Sequence, residues 1–213
     1  MLVYRVFPYL PTAAHGEPGH PLYEHQPQRG GRIDHPDCYV WYVATQAAAA
    51  VGESFGNLGG WGDTMFPFPA IPGARRALGV YRLPDELRLL DLDDAAALAE
   101  RALRPTQIVT RNLAVTQAWG HQVRNERDPH DTHQHRWQAV KWWSYHRPSW
   151  SVIAGWRQPE FEGVEDLRLD HPVVRDAAGI RARVAVQGDA RQPARALAAV
   201  GALALTDPHP ICP

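Results

Sequence analysis

The 213-residue chain has few cysteines and no excess of charge of either sign. Its two cysteines, Cys38 and Cys212, lie far apart in the sequence, which is not the pattern of a secreted disulfide scaffold or of a structural zinc site. The 22 basic and 23 acidic side chains leave a formal net charge of −1, with no run of five like charges. This balance argues against a protein that works mainly by neutralising nucleic-acid phosphates.

Long apolar runs are also missing. The first residues, MLVYRVFPYLP, have neither a basic opening nor a hydrophobic stretch of the length that a signal peptide or a membrane span needs. We therefore expect a cytoplasmic protein that binds neither membrane nor nucleic acid directly.

Proline, glycine, tryptophan and histidine are abundant, with 19, 17, 8 and 11 copies. So much proline and glycine predicts short elements joined by many loops. Five of the eight tryptophans fall between Trp137 and Trp156. A cluster of this kind is typical of a bulky core or of an aromatic-walled pocket, and we expect these indoles to build and line a pocket around Ser144.

The first quarter of the chain predicts a strand, a long loop and a strand–turn–helix unit. Leu2–Phe7 is apolar and ends before prolines, and residues 12–31 form a loop rich in Gly, Pro, His and Gln. Tyr39–Ala44 is aromatic and β-branched, which favours a buried strand. The alanine-rich segment that follows predicts a helix to Phe55 with Thr45 as its N-cap.

The rest of the chain predicts further short elements. They are a loop over 56–76, strands near 79–83 and 87–92, a helix from Asp93 or Asp94 to a stop at Pro105, a helix within 111–124, a polar loop over 125–135, two β segments within 137–156 split at Pro148, β segments near 164–169 and 180–186, and a helix near 191–203. Strands and helices mix without regular βαβ alternation. The pattern therefore predicts a single α+β domain over 1–213.

Four segments, taken in order, resemble the RES domain family, which is named for its arginine, glutamate and serine. They are Tyr4-Arg5-Val6-Phe7, Gly30-Gly31-Arg32, Tyr42-Val43-Ala44 with the helix to Glu53, and Lys141-Trp142-Trp143-Ser144. Val115-Thr116-Gln117-Ala118-Trp119 resembles the family's Thr-Gln-x-Trp helix. The resemblance spans roughly residues 2–156, and residues 157–213 are expected to complete or decorate the domain.

The chain departs from the family pattern at two consecutive positions. The family usually has Trp-Asn directly after the second arginine, where this chain has Ile33-Asp34. The departure bears on the geometry of the loop that carries Arg32.

The resemblance implies a fold like that of the diphtheria-toxin type of ADP-ribosyltransferase, with a small split β core and flanking helices. It also implies an enzyme that degrades NAD, cleaving the nicotinamide–ribose bond by hydrolysis or phosphorolysis as the toxin of a toxin–antitoxin pair. NAD would then be a substrate, with no true cofactor and no metal. The implied partner is an antitoxin with a helix-turn-helix head of the Xre type, and a homo-oligomer is compatible with the sequence.

The chemistry of this reaction suits the residues in the matching segments. Cleavage develops positive charge on the ribose, so a carboxylate such as Glu53 stabilises charge that forms only in the transition state, and it can also serve as a general base towards water or phosphate. Arg5 and Arg32 are candidates to bind the diphosphate, because guanidinium groups match phosphate oxygens. We expect Glu53, Arg32 and Tyr42 to be the catalytic set.

The nicotinamide ring needs a flat wall and a neutral hydrogen-bonding group. Tyr42 can supply the wall by stacking, and Ser144 can bind the amide or the neighbouring ribose. Because no histidine stands at a fixed spacing from Ser144, we assign it to positioning and not to nucleophilic catalysis.

Several alternatives stay open from the sequence. The same residues would serve transfer of ADP-ribose to a protein target, and a non-catalytic, regulatory NAD-binding domain would keep the same fold. The histidines within 121–146 suggest a metal-binding loop, but their spacing fits no common zinc pattern. The tryptophans near Ser144 lack the aligned basic residues of a base-stacking platform.

Overall fold

The computed structural model describes residues 1–25, 28, 30–60, 62–157 and 170–175. Its strands are β1 (Leu2–Tyr9), β2 (Tyr39–Ala44), β3 (Arg75–Arg82), β4 (Leu89–Asp91), β5 (Ala139–Trp143), β6 (Ser151–Arg157) and β7 (Asp170–Arg175). Its α-helices are α1 (Ala47–Phe55), α2 (Ala95–Glu100), α3 (Pro105–Ile108) and α4 (Leu113–Asn125). This mixture confirms the predicted α+β class.

The described chain divides into two compact units. Unit 1 contains residues 1–24, 44–82 and 170–175, and unit 2 contains residues 25, 28, 30–43 and 83–157. The likeness to an ADP-ribosyltransferase and the single domain over 1–213 stay predictions.

Unit 1 is built on antiparallel pairing around β1. Strand β1 pairs along its whole length with β3, placing Arg5 opposite Gly79, and β3 pairs on its other side with β7. Tyr4 of β1 pairs with Ala44 at the end of β2. Helix α1 packs against β1 through a face of buried alanines and Val51.

Unit 2 has the strand order β4-β5-β6-β2. Strands β4 and β5 are parallel, and β5 and β6 are antiparallel. The largest members of its core come from strands, from α3 and α4 and from the loop before β2, and they include Ile33, Ile108, Trp119, Trp142 and Trp156. Buried residues of the strands therefore pack against buried residues of α3 and α4.

Four predicted boundaries are wrong. Strand β1 continues through Pro8 to Tyr9, beyond its predicted end at Phe7. The N-cap of α1 is Gln46 and not Thr45, and its side chain makes no capping hydrogen bond. The predicted helix before Pro105 ends at Glu100, and Pro105 opens α3 instead of ending a helix, because proline at the first helical position needs no N–H. Strand β3 begins at Arg75, inside the predicted loop 56–76.

Other predictions agree with the structure. Asp94 caps α2 by accepting a hydrogen bond from the Ala96 N–H at 2.9 Å. Helix α4 and the β segments separated at Pro148 are confirmed. The predicted elements near 164–169, 180–186 and 191–203 lie outside the described residues. Among the described helices, none has the length and apolar composition to cross a membrane.

Candidate functional site

Arg32 is held in a fixed orientation within unit 2. Its Nη1 donates to the carbonyl oxygens of Ile108 at 3.0 Å and Thr110 at 2.5 Å, at the end of α3 and just beyond it. The residue is half-buried. Because a long side chain loses rotamer freedom when it binds a ligand, these two bonds reduce the entropy cost of using this guanidinium.

The loop that carries Arg32 is tied to β2 by a buried carboxylate. Asp34 is only 7% exposed. Its Oδ2 accepts from the Gly31 N–H at 2.6 Å, and its Oδ1 accepts from the Tyr42 hydroxyl at 2.7 Å. The Tyr42 oxygen in turn accepts from the Ile33 N–H at 2.9 Å. Asp34 therefore holds the backbone before Arg32 directly, through Gly31, and the backbone after it through the Tyr42 hydroxyl.

The departure from the family pattern at 33–34 is accommodated by the core. Ile33 is fully buried. A Cβ built on Gly120 of α4 would come within 2.7 Å of the Ile33 Cβ, so the helix backbone and Ile33 are in close contact. Gln117 of the same helix donates through Nε2 to the Gly31 carbonyl at 3.2 Å. Helix α4 thus supports the loop by both packing and hydrogen bonding.

Tyr42 is placed near Arg32, but its hydroxyl is engaged by the protein. Burial, together with the charge and hydrogen bond of Asp34, raises the pKa of Tyr42, against smaller lowering by the Ile33 N–H and the Arg32 charge. The phenol therefore stays neutral and donates to Asp34. Stacking of the face of the Tyr42 ring against nicotinamide stays a prediction.

Ser144 is buried at the end of β5, in the turn before β6. It is 1% exposed, its N–H donates to the Trp150 carbonyl at 2.7 Å, and its Oγ accepts from the His146 N–H at 3.0 Å. These bonds fix the turn. The predicted positioning role of this serine and its contact with NAD stay predictions.

A stacked pair that sequence reasoning missed lies next to these residues. The Arg111 guanidinium lies 4.4 Å from the ring centre of Tyr145. Tyr145 is 46% exposed and directly follows Ser144, whereas Arg111 directly follows Thr110, which binds Arg32. The only sequence signal is that Tyr145 directly follows the segment Lys141–Ser144.

Arg5 and Glu53 belong to unit 1. Arg5 is half-buried on β1, opposite Gly79. Glu53 is exposed on the last turn of α1, whose opposite face is buried. In unit 1, Glu53 therefore presents its carboxylate from a helix that is anchored by packing.

A cavity of about 470 Å³ in unit 1 lies in the turn over residues 67–75 and is lined mainly by prolines and other apolar side chains. None of the five predicted site residues lines it.

The tryptophans near Ser144 serve mainly as core. Trp142 and Trp156 belong to the buried cluster of unit 2, and Trp150 is 5% exposed. Trp137 and Trp143 are partly buried against that cluster. Their predicted role as the wall of a pocket stays a prediction.

The histidines are spread over different environments. His35 and His121 have ring centres 4.4 Å apart, and His135 contacts the Arg124 carbonyl through Nδ1 at 2.5 Å. Burial, followed by the Arg124 charge, lowers the pKa of His135 to about 4. Among the described residues, no three histidine, cysteine or acidic side chains are arranged to hold a metal ion.

The family model of the RES domain matches residues 2–176 of this chain. The matched range contains Arg5, Arg32, Tyr42, Glu53 and Ser144. No curated protein matches the chain.

Proposed function

Since this chain belongs to the RES domain family, we propose that it is a toxin-like enzyme that cleaves the nicotinamide–ribose bond of NAD by hydrolysis or phosphorolysis. Family membership supports an NAD-related function of the toxin type. The bond cleaved and the acceptor are the parts of the proposal that need experiment.

The observation that carries the proposal is the anchored guanidinium of Arg32. Two backbone carbonyls hold one side of its planar fork, and a buried carboxylate fixes the loop on either side of it. A cation held in this way suits an anion of fixed shape, and the diphosphate of NAD is such an anion. Arg5 is the second guanidinium that we propose for the diphosphate.

We assign the chemical step to Glu53. As the C–N bond to nicotinamide breaks, the bonding electrons leave with nicotinamide and the ribose carbon becomes cationic. A carboxylate stabilises this cation more than it stabilises neutral ground-state ribose, and that difference lowers the barrier. The same group can accept the proton of an attacking water.

Tyr42 and Ser144 complete the proposed set. The Tyr42 hydroxyl is occupied by Asp34, so its contribution is the flat face of the ring against nicotinamide. Ser144 lies in a turn fixed by its own hydrogen bonds, and we propose that it positions the nicotinamide amide or the adjoining ribose.

Incubation of the purified protein with NAD tests the proposal, with Glu53→Ala as the matched variant. Nicotinamide release by the wild type and its loss in the variant are expected. Without phosphate the second product should be ADP-ribose, and with phosphate as acceptor it should be ADP-ribose carrying an added phosphate. No release, or equal release by the variant, rejects the proposal.

Mass spectrometry of acceptor proteins after exposure to NAD separates cleavage from ADP-ribosyl transfer. ADP-ribose attached to a protein other than the enzyme would favour the transferase alternative. Tight NAD binding without any product would favour the non-catalytic alternative.

We also propose that an antitoxin with a helix-turn-helix head inhibits the protein. Growth arrest on expression of the wild type, and its relief by Glu53→Gln or by co-expression of the neighbouring open reading frame, would support this partner. Arrest that persists in the Glu53→Gln strain would show that the toxicity does not come from NAD cleavage.

A further inference from the structure

Asp34 occupies an unusual position for a carboxylate. It is buried, and a buried carboxylate is costly unless its oxygens are hydrogen-bonded. Each oxygen has a separate partner, the Gly31 N–H for one and the Tyr42 hydroxyl for the other. The group therefore joins the backbone of the loop to a side chain of β2.

The residues joined in this way surround Arg32. Gly31 and Ile33 are its direct neighbours, and both of their N–H groups are used in the network, one by Asp34 and one by Tyr42. The backbone on both sides of Arg32 is therefore fixed by Asp34 and its tyrosine partner. A shift of this backbone would also move the guanidinium away from the carbonyls that bind it.

We propose that Asp34 is a positioning residue for diphosphate binding, acting through the Gly31 N–H and the Tyr42 hydroxyl to hold Arg32 in its binding orientation. The inference rests on the proposed function, because it assumes that Arg32 binds the diphosphate of NAD. It assigns to Asp34 no contact with the ligand.

The chemistry of the carboxylate makes the inference specific. The asparagine that the family usually has here offers one acceptor oxygen and one donor nitrogen. If its oxygen accepts from the Gly31 N–H, its nitrogen faces the Tyr42 hydroxyl, which then loses the acceptor for its own proton. Asp34→Asn keeps the size of the side chain and removes one acceptor. Tyr42→Phe removes the hydroxyl that donates to Asp34 and keeps the aromatic ring.

The test compares two ligands by binding. ADP-ribose carries the diphosphate without nicotinamide, and nicotinamide carries neither phosphate nor ribose. We expect Asp34→Asn and Tyr42→Phe each to weaken ADP-ribose binding about tenfold by calorimetry, the loss that one hydrogen bond to a charged group typically brings. Nicotinamide binding, measured by NMR titration, should be unchanged, and the double variant should bind ADP-ribose little worse than either single variant.

Asp37→Asn is the matched control. It makes the same chemical change three residues away, on a side chain that is 83% exposed and reaches only His35 at 3.9 Å. Both ligands should bind this variant as they bind the wild type. In turnover assays Asp34→Asn should raise the KM for NAD and leave kcat within about threefold. This is the result expected when the lost interaction stabilises the bound substrate and the transition state equally.

The outcomes separate the inference from the proposed function. If the wild type releases no nicotinamide from NAD, the proposed function fails and the inference fails with it. Release of nicotinamide without measurable binding of ADP-ribose would overturn the inference alone. If the wild type binds ADP-ribose and Asp34→Asn binds it equally well, only the inference is overturned. Equal weakening of both ligands would show a general structural role and would also overturn it. If Asp34→Asn does not fold, the result with Tyr42→Phe decides.

Discussion

Two glycine-rich segments, one that contains Arg32 and one that follows the helix of Glu53, are held in different ways. The loop over 30–34 in unit 2 is fixed by side-chain hydrogen bonds to Asp34 and by the buried Ile33. Residues 56–60 in unit 1, which follow the helix with Glu53, are exposed, and their hydrogen bonds include backbone bonds to Gly52 and Phe55.

The difference shows two ways of placing a functional side chain. Arg32 is positioned by the loop to which it belongs, so changes within the loop should disturb it. Glu53 is positioned by the buried face of α1, so changes in the exposed segment after the helix should leave it in place. The predictions below test this contrast.

The largest expected effect is that of Glu53→Gln. Loss of the negative charge should lower kcat for nicotinamide release by about a thousandfold, the scale seen when one electrostatic stabiliser of a transition state is removed. Because Glu53 is exposed, the melting temperature should stay within about 2 °C of the wild type. Release of nicotinamide measures the first quantity and calorimetry the second.

Ser54→Ala is the control on the same helix, at an exposed neighbouring position. It should retain the wild-type rate. A Glu53→Gln enzyme with more than a tenth of the wild-type rate would contradict the role of the carboxylate.

The next effect is that of Arg32→Lys. Lysine is shorter and its ammonium has no planar fork, so it loses the geometry in which the carbonyls of Ile108 and Thr110 hold the guanidinium and cannot bind phosphate through two parallel N–H groups. We expect the KM for NAD to rise about thirtyfold with a smaller change in kcat. Arg104→Lys, at an exposed position before α3, should behave as the wild type. An unchanged KM in Arg32→Lys would contradict the proposal that Arg32 binds the diphosphate.

A smaller effect, on stability, separates the two segments directly. A Cβ on Gly31 would collide with the Asp34 carboxylate and the Tyr42 hydroxyl, whereas Gly30 and Gly60 have open space at that position. Gly31→Ala should lower the free energy of unfolding by about 2 kcal/mol. Gly30→Ala and Gly60→Ala should change it by less than about 0.5 kcal/mol.

Urea denaturation measures these changes. Equal stability of the Gly31→Ala and Gly30→Ala proteins would show that the loop is not held as tightly as its contacts indicate.

The smallest expected effect concerns pH. In the folded protein the pKa of His135 is about 4, below the unfolded value of 6.5, because of burial and then the Arg124 charge. Above pH 6.5 the imidazole is neutral in both states and contributes nothing to the pH dependence. As the pH falls from 6.5 to 4 the unfolded chain binds a proton that the folded protein does not, so stability decreases.

His135→Gln should reduce this loss in urea denaturation between pH 7 and pH 4.5. Because the side chain is partly exposed, solvent screens the effect, and we expect a difference of less than about 1 kcal/mol. An identical pH dependence in the variant and the wild type would show that His135 does not contribute.

Much of the fold could be predicted because local patterns specify it. The apolar run of β1, the aromatic and β-branched composition of β2 and the spacing of apolar residues in α4 identified these elements. Predicted boundaries were less accurate where a residue type can either begin or end a helix. Pro105 was expected to end a helix and in fact begins one, since proline disrupts a helix interior but is favoured at its first turn.

The candidate site could be predicted only in part. The segments with Arg32, Tyr42 and Ser144 were identified by their order and spacing, but their hydrogen-bond partners were not. Ile108 and Thr110 lie 76 and 78 residues from Arg32 in the sequence. No local pattern specifies such partners, because they depend on how distant elements pack.

The sequence by itself determined the α+β class, the family and the order of the segments that match it. Short-range apolar patterns and motif spacing are properties of the chain alone. Only the tertiary structure decided that Ile33 belongs to the core, that Asp34 binds Gly31 and Tyr42, and that carbonyls near α3 hold Arg32. The physical reason is that a polar side chain inside the fold takes whichever donors or acceptors the folded chain brings within reach, and for Arg32 these come from a distant segment.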